Sequence, residues 1–177
     1  MTTVIQGKLG HCQLAQDIMY QMAWENKADV LVLSEQLANL KHRNWYSDTS
    51  GRAAIWVRDP KKVPVEDCGK GNGYEWVISG NSAIISCYLS PNEGIAIFPG
   101  KLVAIENRIP DLDIEVILAG DFNAKSSEWG MTWKDPRGKE LAEMVASLDL
   151  TVLNVGNSFT FRRPGYRETI PGVTLAS

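Results

Sequence analysis

Two acidic residues close short apolar runs in this 177-residue chain. Glu35 follows Val30-Leu31-Val32-Leu33-Ser34, and Asp121 follows Val116-Ile117-Leu118-Ala119 through Gly120. Runs this short, apolar and without alternation read as strands covered on both faces, so each acid stands at a strand's C-terminal end. In layered α/β proteins those ends gather polar groups at one edge of the sheet, where ligands sit. Two carboxylates meeting there would hold a hard divalent cation, because Mg2+ needs only one or two carboxylates beside water and phosphate oxygens. The segment Gly120-Asp121-Phe122-Asn123 is richer than either acid alone. Glycine permits a tight exit from the strand, while Asp and Asn aim short side chains from one loop and can orient a water and a phosphate together. The competing reading of an isolated strand-end acid is a turn or helix cap, and of Asn123 an Asx-turn bonding its own backbone.

Phe159 to Arg167 is the one cluster that joins three arginines, Arg162, Arg163 and Arg167, to three aromatics. Arginines pair with phosphates and aromatics stack or wedge against bases, which makes this a candidate DNA-contacting edge. Its alternative is a strand with two core phenylalanines and a solvated basic turn. Lys41, His42 and Arg43 form a weaker basic patch near Glu35. Trp129 and Trp133, beside the Asp121 loop, read as packing residues. His11 and His42 are the only histidines, so a histidine base has few candidates, and His11 reads as a surface or capping residue of the first helix.

The elements that must position these groups follow from periodicity and punctuation. Thr2 to Gln6 reads as a strand, and Leu9 to Asn26 as a helix whose apolar set is Leu14, Ile18 and Met22, flanked by Ala15 and Met19. Gln36 to Gly51 reads as a loop with one helical turn, and Ala53 to Val57 as a strand. Asp59 to Lys62 and Cys68 to Gly73 read as turns. Tyr74 to Ile78 and Ala83 to Tyr88 form a hairpin across Gly80-Asn81. Lys101 to Arg108 reads as a helix stopped by Ile109-Pro110. Glu115 to Ala119 is a strand, Gly138 to Leu148 a helix, and Thr151 to Leu153, Phe159 to Arg162 and Val173 to Ala176 are extended. Hairpins among the strands argue against one doubly wound parallel sheet and for a layered α/β sandwich with mixed sheets.

Composition sets the outer limits. With 44% apolar and 22% charged residues the chain is neither disordered nor fibrous. Its length suits one domain, able to bury roughly 70% of its unfolded surface. A net charge of -3 supplies no global basic field, so a grip on nucleic acid needs a local patch or a bound cation. Three cysteines without CxxC spacing argue against a disulfide framework or zinc knuckle and for a reducing compartment. No stretch reaches the ~20 apolar residues of a membrane span, so no membrane partner is expected.

Several of these segments, in order, carry a family resemblance. Ser34-Glu35, Ala53 to Val57, Tyr88-Leu89-Ser90-Pro91-Asn92, Gly120 to Lys125, Trp129-Gly130, Asp135-Pro136-Arg137-Gly138, Leu153-Asn154, Thr160-Phe161 and Val173 to Ser177 resemble the endonuclease domain of non-LTR retrotransposons. That domain belongs to the endonuclease/exonuclease/phosphatase superfamily, with apurinic endonucleases and DNase I as relatives. The resemblance implies a four-layer α/β sandwich with two mixed β-sheets flanked by helices, spanning residues 1–177 and incomplete at the C-terminus. It implies DNA phosphodiester cleavage with Mg2+, or Mn2+, in an intracellular and nuclear setting, with a reverse transcriptase domain as a possible partner in a longer polyprotein. By position, Glu35 would be the metal ligand, Asp121 would orient or deprotonate the attacking water, Asn123 would position the scissile phosphate, and Tyr88 would support the transition state. Without the resemblance, Tyr88 reads as a sheet residue whose hydroxyl reaches solvent.

The chain also departs from that pattern. Lys8 stands where the family's first strand ends in a catalytic asparagine; it can touch a phosphate as a point charge but lacks an amide's paired donor and acceptor. Gly172 falls at an aspartate position, and Ser177 is reached before the family's Ser-Asp-His segment. These departures motivate two alternatives: a catalytically inactive remnant that at most binds DNA or a metal, and a phosphodiesterase of the same superfamily acting on a small phosphorylated substrate.

Overall fold

The computed structural model describes residues 1–37 and 43–177, the side chains of 110–112 excepted. Lys41 and His42 of the weaker basic patch lie outside the described residues. In chain order the elements are β1 (Val4–Lys8), α1 (Gln13–Glu25), β2 (Val30–Ser34), β3 (Trp45–Ser47), β4 (Ala53–Val57), β5 (Asp67–Gly71), β6 (Tyr74–Ser79) and β7 (Ser82–Tyr88). They continue with α2 (Phe98–Leu112), β8 (Glu115–Asp121), α3 (Pro136–Ser147), β9 (Thr151–Val152) and β10 (Gly172–Ala176).

Two sheets form, ordered β1-β2-β4-β3 and β5-β6-β7-β8-β10-β9. Both are mixed: β1 runs parallel to β2 and β7 parallel to β8, and the remaining neighbours are antiparallel. Alternate residues of a strand face opposite sides, and this sorts the core into three layers. Leu31 and Leu33 of β2 and Ala54 of β4 face α1, packing with Ala23. Val30, Val32, Ile55 and Val57 face the second sheet, where they meet Val77, Ile84 and Ala119. On that sheet's far side, Ile85, Cys87, Leu118 and Val173 pack against Phe98, Leu102, Ile105, Leu141 and Met144 of α2 and α3. The result is the expected α/β/β/α sandwich, and it explains why β2 reads as a continuous apolar run: both of its faces are covered.

The middle layer changes character along the strands. Facing positions run Val4, Gln6, Lys8 in β1; Val30, Val32, Ser34 in β2; Ile84, Ser86, Tyr88 in β7; and Ala119, Asp121 in β8. The space between the sheets is therefore apolar at one end and polar at the end where the parallel strands terminate.

Local structure departs from expectation in several places. Helix α1 exposes Leu14, Ile18 and Met22 and buries Gln16 and Ala23. The cause lies in the sheet beneath. Gly7 offers a hollow filled by Met19, whose Cε sits where a Cβ on residue 7 would fall, and buried Gln16 accepts from the Leu37 amide at 3.1 Å, holding the chain just after Glu35. Cys68 to Gly71, read as turns, belongs to edge strand β5, whose Gly69 and Gly71 are covered by the rings of Trp76 and Tyr74. Trp45–Ser47, read as loop, is edge strand β3. Helix α2 begins at Phe98 and runs to Leu112, because Phe98, Leu102, Ile105 and Ile109 make one buried stripe. Phe159 to Arg162 forms a single bridge, Phe161 to Thr169, rather than a strand.

Candidate active site

Four strand ends meet at the polar edge of the middle layer. Parallel registers place Lys8 beside Ser34 and Tyr88 beside Asp121. Glu35 follows immediately, with φ of 53°, a left-handed conformation that costs a non-glycine residue about 1 kcal/mol or more. Two backbone bonds hold it there: its N–H donates to the Arg52 carbonyl and its carbonyl accepts from the His11 N–H, both at 2.7 Å. The Glu35 carboxylate is thereby turned toward Tyr88, whose hydroxyl donates to Oε1 at 2.7 Å. Tyr88 is buried, so the solvent-directed reading of its hydroxyl is corrected.

Gly120 is required by close approach. A Cβ there would lie 2.0 Å from the Cys87 carbonyl oxygen, and φ is 153°. The chain then turns sharply. Asp121 Oδ1 accepts from the Asn123 N–H at 3.1 Å, so the Asx-turn belongs to Asp121 rather than to Asn123. Asn123 adopts φ of 47°, a region asparagine tolerates, and its Nδ2 donates to the Leu89 carbonyl at 3.0 Å. Buried Trp129 caps the loop from behind, donating to the Ala124 carbonyl at 3.0 Å. The Asp135-Pro136-Arg137-Gly138 segment is structural. Asp135 caps α3 at Gly138 N, Arg137 donates to the Ser90 and Glu93 carbonyls, and Gly138 is pressed against the Lys125 carbonyl, leaving no room for a Cβ.

Lys8 enters the middle of this group. Its ammonium lies 2.7 Å from Asp121 Oδ2 and 3.5 Å from Glu35 Oε2, with the Tyr88 and Phe161 rings 5.9 and 5.6 Å away. Oδ2 is fully buried and accepts no other aligned hydrogen bond. A cavity of about 420 Å³ opens beside Lys8 and Asp121, lined also by Gln6, Ser34, Asn154, Thr160 and Gly172; Tyr88 lines a separate hollow with Ser90, Glu93 and Lys101.

The electrostatics follow from burial. Burial raises the Asp121 carboxyl above its ordinary value; Lys8 opposes this without reversing it, and Glu35 adds to the rise. Burial also pushes the Tyr88 phenol well up, helped by its bond to Glu35 and the charges of Glu35 and Asp121, so Tyr88 remains a donor at any working pH. Behind Tyr88 in the same layer, Glu75 is buried beside Ser86 without an aligned hydrogen bond to its carboxyl. Burial first, and then the nearby Asp48 carboxylate, raise the Glu75 carboxyl well above the usual range.

The three arginines lie on the exposed arm between β9 and β10, beside the cavity. Arg167 stacks on Trp133 at 3.4 Å from the ring centroid, Arg163 on Tyr166 at 4.9 Å, and Arg162 pairs with Glu168 at 3.5 Å. Thr160 lines the cavity with Asp121 and the Phe161 ring faces the Lys8 ammonium, so the arm approaches the acidic residues. His11 lies in the turn before α1, exposed, its Nδ1 3.1 Å from the Gln36 carbonyl oxygen.

Two positioning residues received no role in the sequence reading, although Asn154 stood in one of the segments that carry the resemblance. Gln6 donates to the Gly120 carbonyl at 2.9 Å and accepts from Thr174 Oγ1 at 2.7 Å, tying β1 to β8 and β10 across the gap between sheets. A glutamine two residues after Val4 on one face of a strand is a visible signal, once that face is known to be covered. Asn154 clamps β10, donating to the Gly172 carbonyl and accepting from the Thr174 N–H. At Gly172 a Cβ would meet the Gln6 amide at 2.8 Å, so that amide occupies the space a side chain there would take.

The divalent ion implied by the resemblance does not fit this arrangement. Lys8, Glu35 and Asp121 together carry one net negative charge, and the ammonium stands between the two carboxylates. At about 4 Å and an effective dielectric near 20 the ammonium would repel a dication by on the order of 8 kcal/mol, offsetting about half of the attraction of the two carboxylates, and it holds the place between them.

The α/β/β/α architecture is that of two solved structures with which the whole chain aligns. One is the endonuclease domain of TRAS1, a telomere-specific non-LTR retrotransposon, at 24% identity and a TM-score of 0.79, covering 85% of that chain. The other is the 3′ phosphatase NExo from Neisseria bound to product DNA hairpin, at 13% identity and a TM-score of 0.73, covering 87% of that chain. Both share the fold of nucleases and phosphatases of the endonuclease/exonuclease/phosphatase type. No curated protein sequence matches the chain. Residues 82–177, from β7 through β10, match the family described as Endonuclease-reverse transcriptase, and the chain belongs to that family.

Proposed function

We propose that this chain is a DNA endonuclease domain of the non-LTR retrotransposon type, which hydrolyses a phosphodiester in the cavity over Asp121. The convergence of Glu35, Tyr88, Asp121 and Asn123 at one edge carries this reading. Asp121, with its raised carboxyl, orients a water and accepts its proton. Tyr88, held protonated, donates toward negative charge developing on the phosphoryl oxygens. Asn123 keeps one amide N–H beyond its bond to Leu89 for a phosphate oxygen. The arm of Arg162, Arg163 and Arg167 receives the DNA backbone beside the cavity. Mg2+ or Mn2+ is the cofactor the family resemblance implies, but with Lys8 between Glu35 and Asp121 the positive charge beside Asp121 is the ammonium's own. The solved relatives support a DNA substrate: the TRAS1 domain is an endonuclease and the NExo phosphatase holds a DNA product.

A second reading, DNA binding without turnover, is favoured by the Lys8 ion pairs. Nicking of supercoiled plasmid with and without Mg2+, comparing the chain with Asp121→Ala, separates the two. Mg2+-dependent nicking that Asp121→Ala abolishes supports the endonuclease. Equal nicking by both proteins overturns the site assignment, and DNA binding with no nicking favours the second reading. Cleavage of small phosphodiesters in preference to plasmid would move the substrate class.

A further inference from the structure

We propose that Lys8 is the site's own cation: it takes the place between Glu35 and Asp121 that a divalent ion would need, and so keeps Mg2+ and Mn2+ from these carboxylates. The inference deepens the active-site reading above and rests on it for the identity of the site, but not on turnover.

Three observations place the ammonium there. Its Nζ bridges both carboxylates, 2.7 Å from Asp121 Oδ2 and 3.5 Å from Glu35 Oε2. Two aromatic rings, Tyr88 at the end of β7 and Phe161 on the arm between β9 and β10, face it at 5.9 and 5.6 Å, a second and independent hold on a cation. Its backbone cannot drift away, because β1 is locked in parallel register with β2 from Val4 to Lys8 and Gln6 ties it to Gly120 and Thr174. The lysine therefore reaches the gap by construction, from the strand whose end lies beside Ser34.

Asp121 shows what would happen without it. The carboxyl is buried, and Oδ2 has no aligned donor besides the ionic contact. Removing the ammonium leaves that oxygen beside the Glu35 carboxylate with which it now shares the lysine, and two carboxylates are a donor set a hard cation takes up. A residue without positive charge at position 8 thus converts a closed ion triad into an open two-carboxylate site.

Mn2+ binding, followed by the electron paramagnetic resonance of free Mn2+ and without DNA present, tests the proposal on the wild-type chain, Glu35→Gln, Lys8→Asn, Lys8→Met and Lys8→Asn/Glu35→Gln. The wild type should show no saturable binding that depends on Glu35. Lys8→Asn and Lys8→Met should bind Mn2+ about tenfold or more tightly than the wild type, and Glu35→Gln should remove that gain. Glu35-dependent saturable binding by the wild type overturns the proposal, as does a folded Lys8 variant with no gain. If neither Lys8 variant folds by circular dichroism, the wild-type and Glu35→Gln pair decides: Glu35-dependent binding overturns it and its absence supports it. Plasmid nicking is measured separately, so failure of the endonuclease reading and failure of this one are told apart.

Discussion

At the ends of β7 and β8 each polar side chain is fixed by backbone geometry, whereas at the ends of β1 and β10 the same cavity is lined by residues held by side chains. On the first side, Gly120 is pressed against Cys87, Asn123 sits in a left-handed turn closed by Asp121, and Tyr88 is anchored in register with Asp121. On the second, Lys8 is held by ion pairs and rings, Gly172 is backed by a glutamine amide, and the arginine arm rests on stacking contacts. The first arrangement resists substitution because moving one side chain means moving a strand. The second lets a side chain change without moving a strand, and it holds Lys8 and Gly172, the positions at which the resemblance implies other residues.

The largest expected effect breaks this comparison directly. Gly120→Ala should destabilise the fold by about 3 kcal/mol or more, because the new Cβ meets backbone that cannot yield. Gly172→Ala meets only the movable Gln6 amide and should cost about 1 kcal/mol. Urea unfolding of both variants checks the pair, and equal losses would mean that the two sides are equally rigid.

Next in size, Asp121→Asn should lower nicking about a hundredfold while leaving DNA binding in place. Because burial raises the Asp121 carboxyl, the wild-type rate should climb as pH rises past the ordinary carboxylate range, and Tyr88, held protonated, should cause no decline above it. A rate flat across that range would remove Asp121 as the proton acceptor.

Glu75, behind Tyr88, gives a smaller effect on stability. Its folded carboxyl keeps its proton to higher pH than in the unfolded chain, so the folded state binds more protons across that window. Stability should fall as pH rises from the ordinary glutamate range through the raised one. Glu75→Gln should flatten that slope in thermal unfolding at a series of pH values, with its gain confined to the upper end. The smallest effect belongs to the arm: Arg163→Ala should weaken DNA binding mildly and lower its salt dependence by about one phosphate contact, with stability unchanged.

The legible parts of the site were those that local rules govern. Apolar runs ending in Glu35 and Asp121 marked strand ends, Gly80-Asn81 marked the hairpin, and Gly120-Asp121-Phe122-Asn123 marked a turn that aims two polar side chains. The illegible parts depend on what lies across from a residue. Leu14, Ile18 and Met22 are a sound helical stripe, yet α1 turns Gln16 and Met19 inward because Gly7 leaves a hollow and the Leu37 amide needs an acceptor. Gln6 became a positioning residue only when β1 was set opposite β8 and β10.

By itself, then, the sequence determined the buried strands β2, β4 and β6 to β8 and the residues that follow or end β2 and β8, and that an acidic pair and an arginine-rich arm are present, since periodicity and turn chemistry are properties of neighbours along the chain; edge strands β3 and β5 escaped it. The tertiary structure alone decided that the two sheets face each other with their polar ends aligned. That alignment brings Lys8 from β1 between carboxylates that follow β2 and end β8, because a contact across 27 and 113 residues of sequence is set by sheet packing and not by spacing.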